Sequence, residues 1–431
     1  MVPPRTQPND VAAEADVDVA IAGGGPVGLT LALALAQRGF RTALVDADLT
    51  PGPRTGPRTG DGRAFFVAFG CWRIWRALGL EAELLASAQP VTSVEAKGQA
   101  GAISFLASDC KDEKVLGYMI EQGPLVAALK AAATASERVS LCAGRSLGAD
   151  FADPRATLAF EAAGQDGGQD GGQDGGQDAG QGGKISAALV VGCDGARSGV
   201  RAAAGIRYEG WDYPARAIST TVTCATPHDG AARQIFLPSG PMAALPLRDD
   251  RINLVWTERS IVAEALMALD DAGFEAELQK RAGDFLPEVK LAGRRHAFPV
   301  GLHVADRFHG PRVALAGDSA HQIHPLAGQG LNLGLKDVAA LVDVIAEAAR
   351  VGLDIGAETA LAPYTRWRRA DVVASAAAME GFARIFAAPA PVRIAAALAM
   401  QAAGSVASVR QLFAQEAGGV LGDLPSLMQA V

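Results

Sequence analysis

The pattern of apolar and polar positions is sharpest near the beginning of the chain. Residues 17–22 are apolar apart from Asp18, as expected for a strand buried in a parallel sheet. Residues 29–38 have the pattern of a helix, and Gly39 follows at the position where glycine commonly ends one. Residues 42–45 predict a second strand. The patterned part of the chain therefore opens with a βαβ unit.

Weaker patterns outline the rest of the chain. Residues 216–257 alternate short β-type runs with turn signals, which favours an antiparallel sheet over further βαβ units. From about residue 358 the chain is rich in alanine and mostly helical in pattern. The other expected elements are helices over residues 64–78 and 125–134 and from Leu331, and strands over residues 139–142, 157–161, 185–191 and 312–316.

A four-residue repeat, GQDG-GQDG-GQDG-GQDA, occupies residues 164–179 and carries no large apolar side chain. Because such a segment cannot bury apolar surface, we expect a flexible, acidic loop over residues 164–183 that expands a hairpin turn. A calcium-binding β-helix is the alternative, but its nonapeptide period and aliphatic position are missing here. The polar, acidic residues 1–15 predict a disordered leader.

The composition limits the classes of protein that remain. The 431 residues are 49% apolar, enough for at least two packing units. A formal charge of −8 leaves no basic excess for a phosphate backbone, which excludes a nucleic-acid partner. The five cysteines lack metal-site spacing and are expected as reduced thiols, with no metal bound. With neither a signal peptide nor an apolar run of about 18 residues, the chain is expected in the cytoplasm.

The sequence Gly23-x-Gly25-x-x-Gly28 joins the first predicted strand to its helix. In dinucleotide-binding folds the first glycine allows a tight turn, the second lets the backbone approach a pyrophosphate, and the third permits close helix–strand packing. Asp46 ends the next strand, 18 residues after Gly28, where an acidic side chain accepts hydrogen bonds from a ribose hydroxyl. The spacing predicts a dinucleotide site without choosing between NAD and FAD, and a tight turn without a ligand is the alternative.

Two later motifs favour FAD. Residues 190–201 run from a strand into Asp194 and Gly195 and then into a new helix. Residues 313–337 repeat this order of strand, loop and helix, with Asp318 at the strand end. This carboxylate can accept a hydrogen bond from a ribitol hydroxyl. The amides at the positive end of the second helix would face the flavin pyrimidine edge, which becomes anionic on reduction.

The three motifs in this order, together with Asp61-Gly62-Arg63, resemble the group A flavoprotein aromatic hydroxylases of the p-hydroxybenzoate hydroxylase fold. Residues 324–341, 241–257 and 412–428 are similar to the ubiquinone-biosynthesis hydroxylases, the UbiH/UbiF/VisC group. The resemblance covers nearly the whole chain apart from the leader and the repeat.

The resemblance implies a mixed α/β fold with a Rossmann-like FAD domain of the glutathione-reductase type. An antiparallel-sheet substrate domain is inserted in it, and a helical region follows. We place the FAD domain at residues 16–90, 119–205 and 297–357, the substrate domain at 91–118 and 206–296, and the helical C-terminal region at 358–431.

The resemblance also implies which residues hold the cofactor. Many relatives carry Arg or Gln shortly before the helix near residues 121–125, where Gly123 and Pro124 leave Gln122 as the only candidate. The segment Asp194-Gly195 is associated in the wider family with nicotinamide as well as FAD. The residues implied to bind FAD are Gly23, Gly25, Gly28, Asp46, Arg63, Gln122, Asp194, Gly195, Gly317, Asp318, Gly328, Gln329, Gly330, Leu331 and Asn332.

The implied reaction is hydroxylation of a polyprenylated phenol in ubiquinone biosynthesis, with NADH or NADPH and O₂, through a C4a-hydroperoxyflavin. Pro325 is implied to line the space where the peroxide forms. His324 is a candidate base, with a structural hydrogen bond as the alternative. The rival functions are hydroxylation of a small soluble aromatic and a non-catalytic flavin-binding subunit of a quinone-synthesis complex. Phenol-stimulated NAD(P)H oxidation would exclude the non-catalytic subunit.

The remaining chemical features have structural interpretations beside functional ones. Metal binding by His321 and His324 is disfavoured, because no third ligand lies nearby in the sequence. The aromatic residues 65–75 are expected to pack in the core, with a substrate channel as the alternative. A charge run over residues 366–371 is expected on a solvated helix face or in a salt-bridge cluster. The apolar residues 385–431 are expected either to contact the inner membrane or partner proteins, or to cap the core.

Overall fold

The computed structural model describes residues 14–49, 63–98, 101–110, 114–152, 154–162, 182–237, 239–323, 328–387, 391–392, 395, 398 and 406–429. Several sequence predictions therefore fall outside the described residues. They are the leader up to residue 13, Asp61 and Gly62, the GQD repeat, His324 and Pro325, and most of residues 388–405.

Helices and strands alternate in the first half of the chain, and the last part is helical. The helices are α1 Pro26–Gln37, α2 Phe69–Ala77, α3 Glu81–Leu85, α4 Gln122–Ala135, α5 Gly199–Ala203, α6 Ser260–Ala268, α7 Asp271–Ala282, α8 Gly330–Arg350, α9 Glu358–Ala387 and α10 Ala407–Ala417. The strands are β1 Glu14–Ala22, β2 Thr42–Asp46, β3 Ala64–Ala68, β4 Gln89–Val91, β5 Ser93–Gly98, β6 Gly101–Leu106, β7 Gly117–Glu121, β8 Val139–Asp150, β9 Ala156–Ala162, β10 Gly182–Gly192, β11 Tyr208–Thr223, β12 Ala231–Leu237, β13 Gly240–Pro246, β14 Ile252–Arg259, β15 Lys290–Leu291, β16 His296–Ala305, β17 His309–Gly310, β18 Val313–Leu315 and β19 His321–Gln322.

The first sheet has a parallel centre in the order β8-β2-β1-β10-β18. The chain moves outward from β1 through β2 and β8, then returns to the other side of β1 through β10 and β18. The carboxyl ends of β1 and β10 therefore lie side by side at the point where the strand order reverses. Open α/β sheets bind their ligands in the crevice at such a point.

The second sheet, within the described residues, has the order β19-β16-β11-β14-β13-β12-β5-β6, with β15 beside β11. Its pairs are antiparallel except for β12 with β5, so the antiparallel sheet predicted for residues 216–257 is confirmed. One face packs on α6 and α7, where Trp256 meets Phe274. The other face is left for the functional site.

A small sheet, β3-β7-β4, and the last helical segment close one side of the molecule. The Gly70 amide at the start of α2 donates a hydrogen bond to the Gly418 carbonyl at 2.8 Å. Leu427 and Met428 are buried in the large core. Leu427 and Met428 thus cap the core, as one of the two interpretations of residues 385–431 expected, whereas Val406 and Leu412 are exposed. Among the helices that the structure describes, none is both long and apolar enough to cross a membrane.

The helix predicted over residues 64–78 is wrong in its first third. Ala64–Ala68 is β3, which pairs antiparallel with β7, and the helix begins only at Phe69. The local pattern does not separate the two states, because a short apolar aromatic run suits a buried strand as well as a helix. Trp72 and Trp75 on the helix are buried in the core, as expected.

Two boundaries also differ from those drawn from sequence. Glu14 and Ala15 pair with β10, so the first strand starts inside the predicted leader. Residues 297–305 belong to β16 and pair with β11 in the second sheet, although the sequence assigned them to the FAD domain. The hairpin predicted around the repeat is present, since β9 pairs antiparallel with β10 up to Glu161 and Gly182.

Candidate functional site

A cavity of about 740 Å³ lies between the loops of the first sheet and the free face of the second. The loop wall includes Gly25, Gly195, Asp318 and residues 328–331, all of which the sequence assigned to the cofactor. The cavity therefore brings together parts of the three nucleotide-binding motifs, of which the first and the last are about 300 residues apart in the sequence.

The three glycines of the first motif have different surroundings. A Cβ on Gly23, whose φ is +107°, would lie 2.2 Å from the Cys193 carbonyl oxygen. A Cβ on Gly28 would lie 2.0 Å from the Gly23 oxygen, so both positions require glycine for backbone packing. A Cβ on Gly25 would meet no atom within 4 Å. Gly25 precedes α1 without a side-chain cap, which leaves amide groups at the positive end of the helix for an anion.

Asp46 ends β2 and Asp194 lies two residues after the end of β10, but neither is part of the cavity wall. Asp46 accepts hydrogen bonds from the Gly24 and Asp48 amides, both at 2.7 Å, and retains further lone pairs for a ribose hydroxyl. Asp194 accepts from the Gly199 amide at 2.8 Å and so holds the start of α5. Its neighbour Gly195 lines the cavity instead.

Asp318 points its carboxylate into the cavity. Restricted solvation raises the pKa of this carboxyl, and the nearby His321 offsets the shift only in part. Gly317 has a φ of +67°, and a Cβ there would lie 3.2 Å from Val27 of α1. The loop therefore combines close packing at Gly317 with a carboxylate that lines the cavity at the next residue.

The start of α8 forms the next part of the loop wall. A Cβ on Gly330 would meet no atom within 4 Å, and Gln329 provides no side-chain cap. The amides of residues 328–331 thus face open space at the positive end of a long helix. Asn332 differs from the prediction: its amide bonds to the backbone of Phe66 and Ala68 at 3.0 and 2.9 Å. It fixes β3 rather than facing the cavity.

Arg63 and Gln122 meet at the edge of the cavity. The Gln122 amide donates to the Arg63 carbonyl at 3.0 Å, and both residues line the wall. Gly123 and Pro124 lie in the first turn of α4, a position where proline is tolerated. The open glycines, the two uncapped helix ends and the inward carboxylate of Asp318 together fit a dinucleotide with a hydroxylated linker.

The opposite wall of the cavity is mostly apolar and was missed by sequence reasoning. Alternation along a strand shows that two faces exist, but not which one meets the cofactor loops. Met379 of α9 and Phe413 and Ala417 of α10 close a third side, for which no local sequence signal exists. The largest side chains of the sheet wall are Phe105, Phe236, Leu245, Val255, Phe298 and Val300.

A buried polar network lies behind the Asp318 loop and was also missed. The Asp337 carboxylate accepts hydrogen bonds from His321 at 2.6 Å, from Arg368 at 2.8 Å and from the Gly317 amide at 3.0 Å. Arg368 is only 2% exposed, so this member of the predicted charge run is buried. His321 is thus held by Asp337 through Nε2, whereas His324, the other member of the disfavoured metal pair, lies outside the described residues.

Comparisons with known proteins agree with this geometry. The family described as "FAD binding domain" matches residues 16–378. The ubiquinone hydroxylase UbiL of Rhodospirillum rubrum is 35% identical over 100% of this chain and 96% of its own length. The 3-demethoxyubiquinol 3-hydroxylase of Escherichia coli is 33% identical over 82% of this chain and 86% of its own.

Solved structures confirm the predicted fold class. The p-nitrophenol 4-monooxygenase PnpA of Pseudomonas putida matches with a TM-score of 0.74 at 20% identity, over 93% of this chain and 98% of that one. PqsL of Pseudomonas aeruginosa matches with a TM-score of 0.71 at 22% identity, over 89% of this chain and 100% of that one. The chain belongs to the FAD-binding family of flavoprotein monooxygenases that includes UbiL, as its three motifs predicted.

Proposed function

We propose that this chain hydroxylates the aromatic ring of a polyprenylated phenol in ubiquinone biosynthesis, with FAD as cofactor and NAD(P)H and O₂ as co-substrates. The observation that carries the proposal is the continuity of one cavity from the dinucleotide loops to the apolar face of the second sheet. Two relatives that match most of this chain are hydroxylases named for ubiquinone and for 3-demethoxyubiquinol.

The loop wall, together with Asp46 next to it, supplies the groups that would hold FAD. The amides at Gly25 and the start of α1 would bind the pyrophosphate, and Asp46 a ribose hydroxyl. Asp318 would bind the ribitol. The amides of residues 328–331 would bind the edge of the flavin ring. Bound FAD supplies the two-electron chemistry and the activation of O₂. Residues 324–327 lie outside the described part of the chain, so the roles of Pro325 and His324 remain predictions.

The apolar wall performs two tasks that belong to the protein. Phe298 and Val300 exclude water from the aromatic ring, which protects a reactive site from side reactions. Met379 and Phe413 extend the apolar lining onto the C-terminal helices, where a prenyl chain can be accommodated. A small soluble aromatic would not need this extension, which favours the prenylated substrate.

A prenylated substrate has to be collected from a membrane, so we propose that the protein works at the cytoplasmic face of the inner membrane. Val392, Leu398, Val406 and Leu412 near the end of the chain are 48% to 56% exposed. Co-sedimentation with anionic liposomes should fall in a Val392→Asp/Leu398→Asp variant, which leaves the cavity wall unchanged. Equal sedimentation of the two proteins would show that these exposed residues do not contact the membrane.

The function is tested with the purified, FAD-loaded protein. A short-chain prenylated phenol should stimulate NAD(P)H oxidation and yield a product heavier by one oxygen atom in mass spectrometry. Stimulation only by unprenylated phenols would support the small-aromatic alternative, and no stimulation by either class would support a non-catalytic subunit. Deletion of the gene in its own host should lead to accumulation of an under-hydroxylated prenylphenol.

A further inference from the structure

The sheet wall of the cavity contains a row of five residues that are direct neighbours across five strands. The pairs are Ser219 with Val255, Val255 with Ala243, Ala243 with Gln234, and Gln234 with Ala96. All five line the cavity. Because directly paired residues project from the same face of a sheet, the row forms a continuous strip facing the cofactor loops.

Gln234 is the fourth residue of this strip and carries its longest polar side chain. Its strand neighbour Ile235 packs against the core on the other face, which confirms that Gln234 points into the cavity. No hydrogen bond joins its carboxamide to another group in the described part of the chain. By contrast, the Ser219 hydroxyl lies 3.4 Å from the Asn253 amide, and the Arg233 guanidinium lies 3.4 Å from Glu95.

The cross-strand neighbours of Gln234 are small. Ala96 and Ala243 flank it on the two adjacent strands. With strands about 4.8 Å apart, the strip from one alanine to the other is about 10 Å wide, enough for a substituted aromatic ring. A carboxamide offers both a donor and an acceptor, which matches a phenolic hydroxyl. An aromatic ring lying on the alanines would thus have its hydroxyl within reach of a polar group with free bonding capacity.

We propose that Gln234 is a specificity-determining residue that hydrogen-bonds the phenolic hydroxyl of the substrate and thereby fixes which ring carbon faces the cofactor. The inference rests on the proposed function and names the contact that recognises the polar head of its substrate. A site built to bond a hydroxyl discriminates against analogues that lack the proton, because its buried polar group then stays unpaired.

The test compares equilibrium binding of a short-chain prenylated phenol with that of its methyl ether, by calorimetry on FAD-loaded protein. The wild type should prefer the phenol by about tenfold, the size of one net hydrogen bond. Gln234→Leu should bind the two compounds equally, and Gln234→Glu, which keeps an acceptor, should restore part of the preference. Gln37→Leu, exposed at the end of α1, serves as the control and should behave like the wild type.

A second readout is product regiochemistry and the yield of hydroxylated product per NAD(P)H. Gln234→Leu should give a lower yield and a mixture of isomers at unchanged FAD content. The inference is overturned if Gln234→Leu keeps the wild-type preference for the phenol, or if the wild type shows no preference. If the preference is present but no hydroxylated product forms, the proposed function fails while the binding role of Gln234 stands.

Discussion

Arg368 donates a hydrogen bond from Nε to Asp337 Oδ1 at 2.8 Å, and the two side chains are 3% and 0% exposed. The pair joins α9 to α8. The same carboxylate also receives the Gly317 amide, so one buried group ties two helices to the loop that carries Asp318 into the cavity. Integrity of the cofactor loop therefore depends on a residue of the C-terminal helical region.

Asp337→Ala should lower the free energy of unfolding by about 3–5 kcal/mol, because it leaves the buried Arg368 charge without its partner. Urea denaturation followed by circular dichroism measures the change. Arg369→Ala, exposed on the next position of the same helix, should alter stability by no more than about 0.5 kcal/mol. Equal effects of the two substitutions would contradict a stabilising role of the buried pair.

The contribution of Asp337 to stability should depend on pH. Burial by itself raises the pKa of this carboxyl, but interaction with His321 and Arg368 outweighs burial and lowers the pKa overall. The stabilisation is thus fully present above the unfolded value of about 3.9 and is lost as pH falls through the folded pKa. The stability difference between wild type and Asp337→Asn should be constant above about pH 5 and shrink below about pH 4. A difference that grows on acidification would refute the lowered pKa.

Asp318→Ala should lose FAD affinity while keeping the fold. A hydrogen bond to a charged acceptor contributes roughly 1.5–3 kcal/mol, which corresponds to about 10- to 100-fold in the dissociation constant. Titration of the apoprotein with FAD, followed by flavin fluorescence, measures the dissociation constant. Asp284→Ala, exposed beyond α7, is the matched control. Wild-type affinity in Asp318→Ala would show that this motif does not contact the cofactor.

Two glycine substitutions should separate binding from folding. Gly330→Val adds bulk where the structure is open, so the protein should fold but bind the flavin in a displaced position and reduce it more slowly. Gly28→Ala places a Cβ 2.0 Å from the Gly23 oxygen, so it should lower the thermal unfolding temperature even without cofactor. Calorimetry of both apoproteins and stopped-flow reduction by NAD(P)H are the measurements. A stable Gly28→Ala apoprotein would contradict the packing role.

Removing the GQD repeat, residues 164–179, should change stability by only about 1–2 kcal/mol, because loop-closure entropy varies slowly with length. The hairpin that carries the repeat is held by the pairing of β9 with β10, which the deletion leaves in place. Thermal unfolding and phenol-stimulated NAD(P)H oxidation of the shortened chain are compared with those of the full chain. A large loss of activity would reveal a function of the repeat.

Features that depend only on neighbouring residues could be predicted from the sequence. The βαβ unit with Gly23, Gly25 and Gly28 was readable because strand, turn and helix follow one another directly along the chain. The three motifs also identified the family, since their order along the chain is part of the sequence. The hairpin around the repeat followed from the same kind of local pattern.

Contacts between side chains that are far apart in the sequence could not be predicted and depend on the packing of the whole fold. Arg368 looked like part of an exposed charge run, and its burial depends on Asp337, 31 residues earlier on another helix. Gln234 gained its position from Ala96 on a strand far away in sequence, with which it pairs in parallel. Sheet register and burial are set by such distant partners. A local pattern can therefore show that a strand has two faces or that a helix is charged, whereas packing decides which face lines the cavity and which charge is buried.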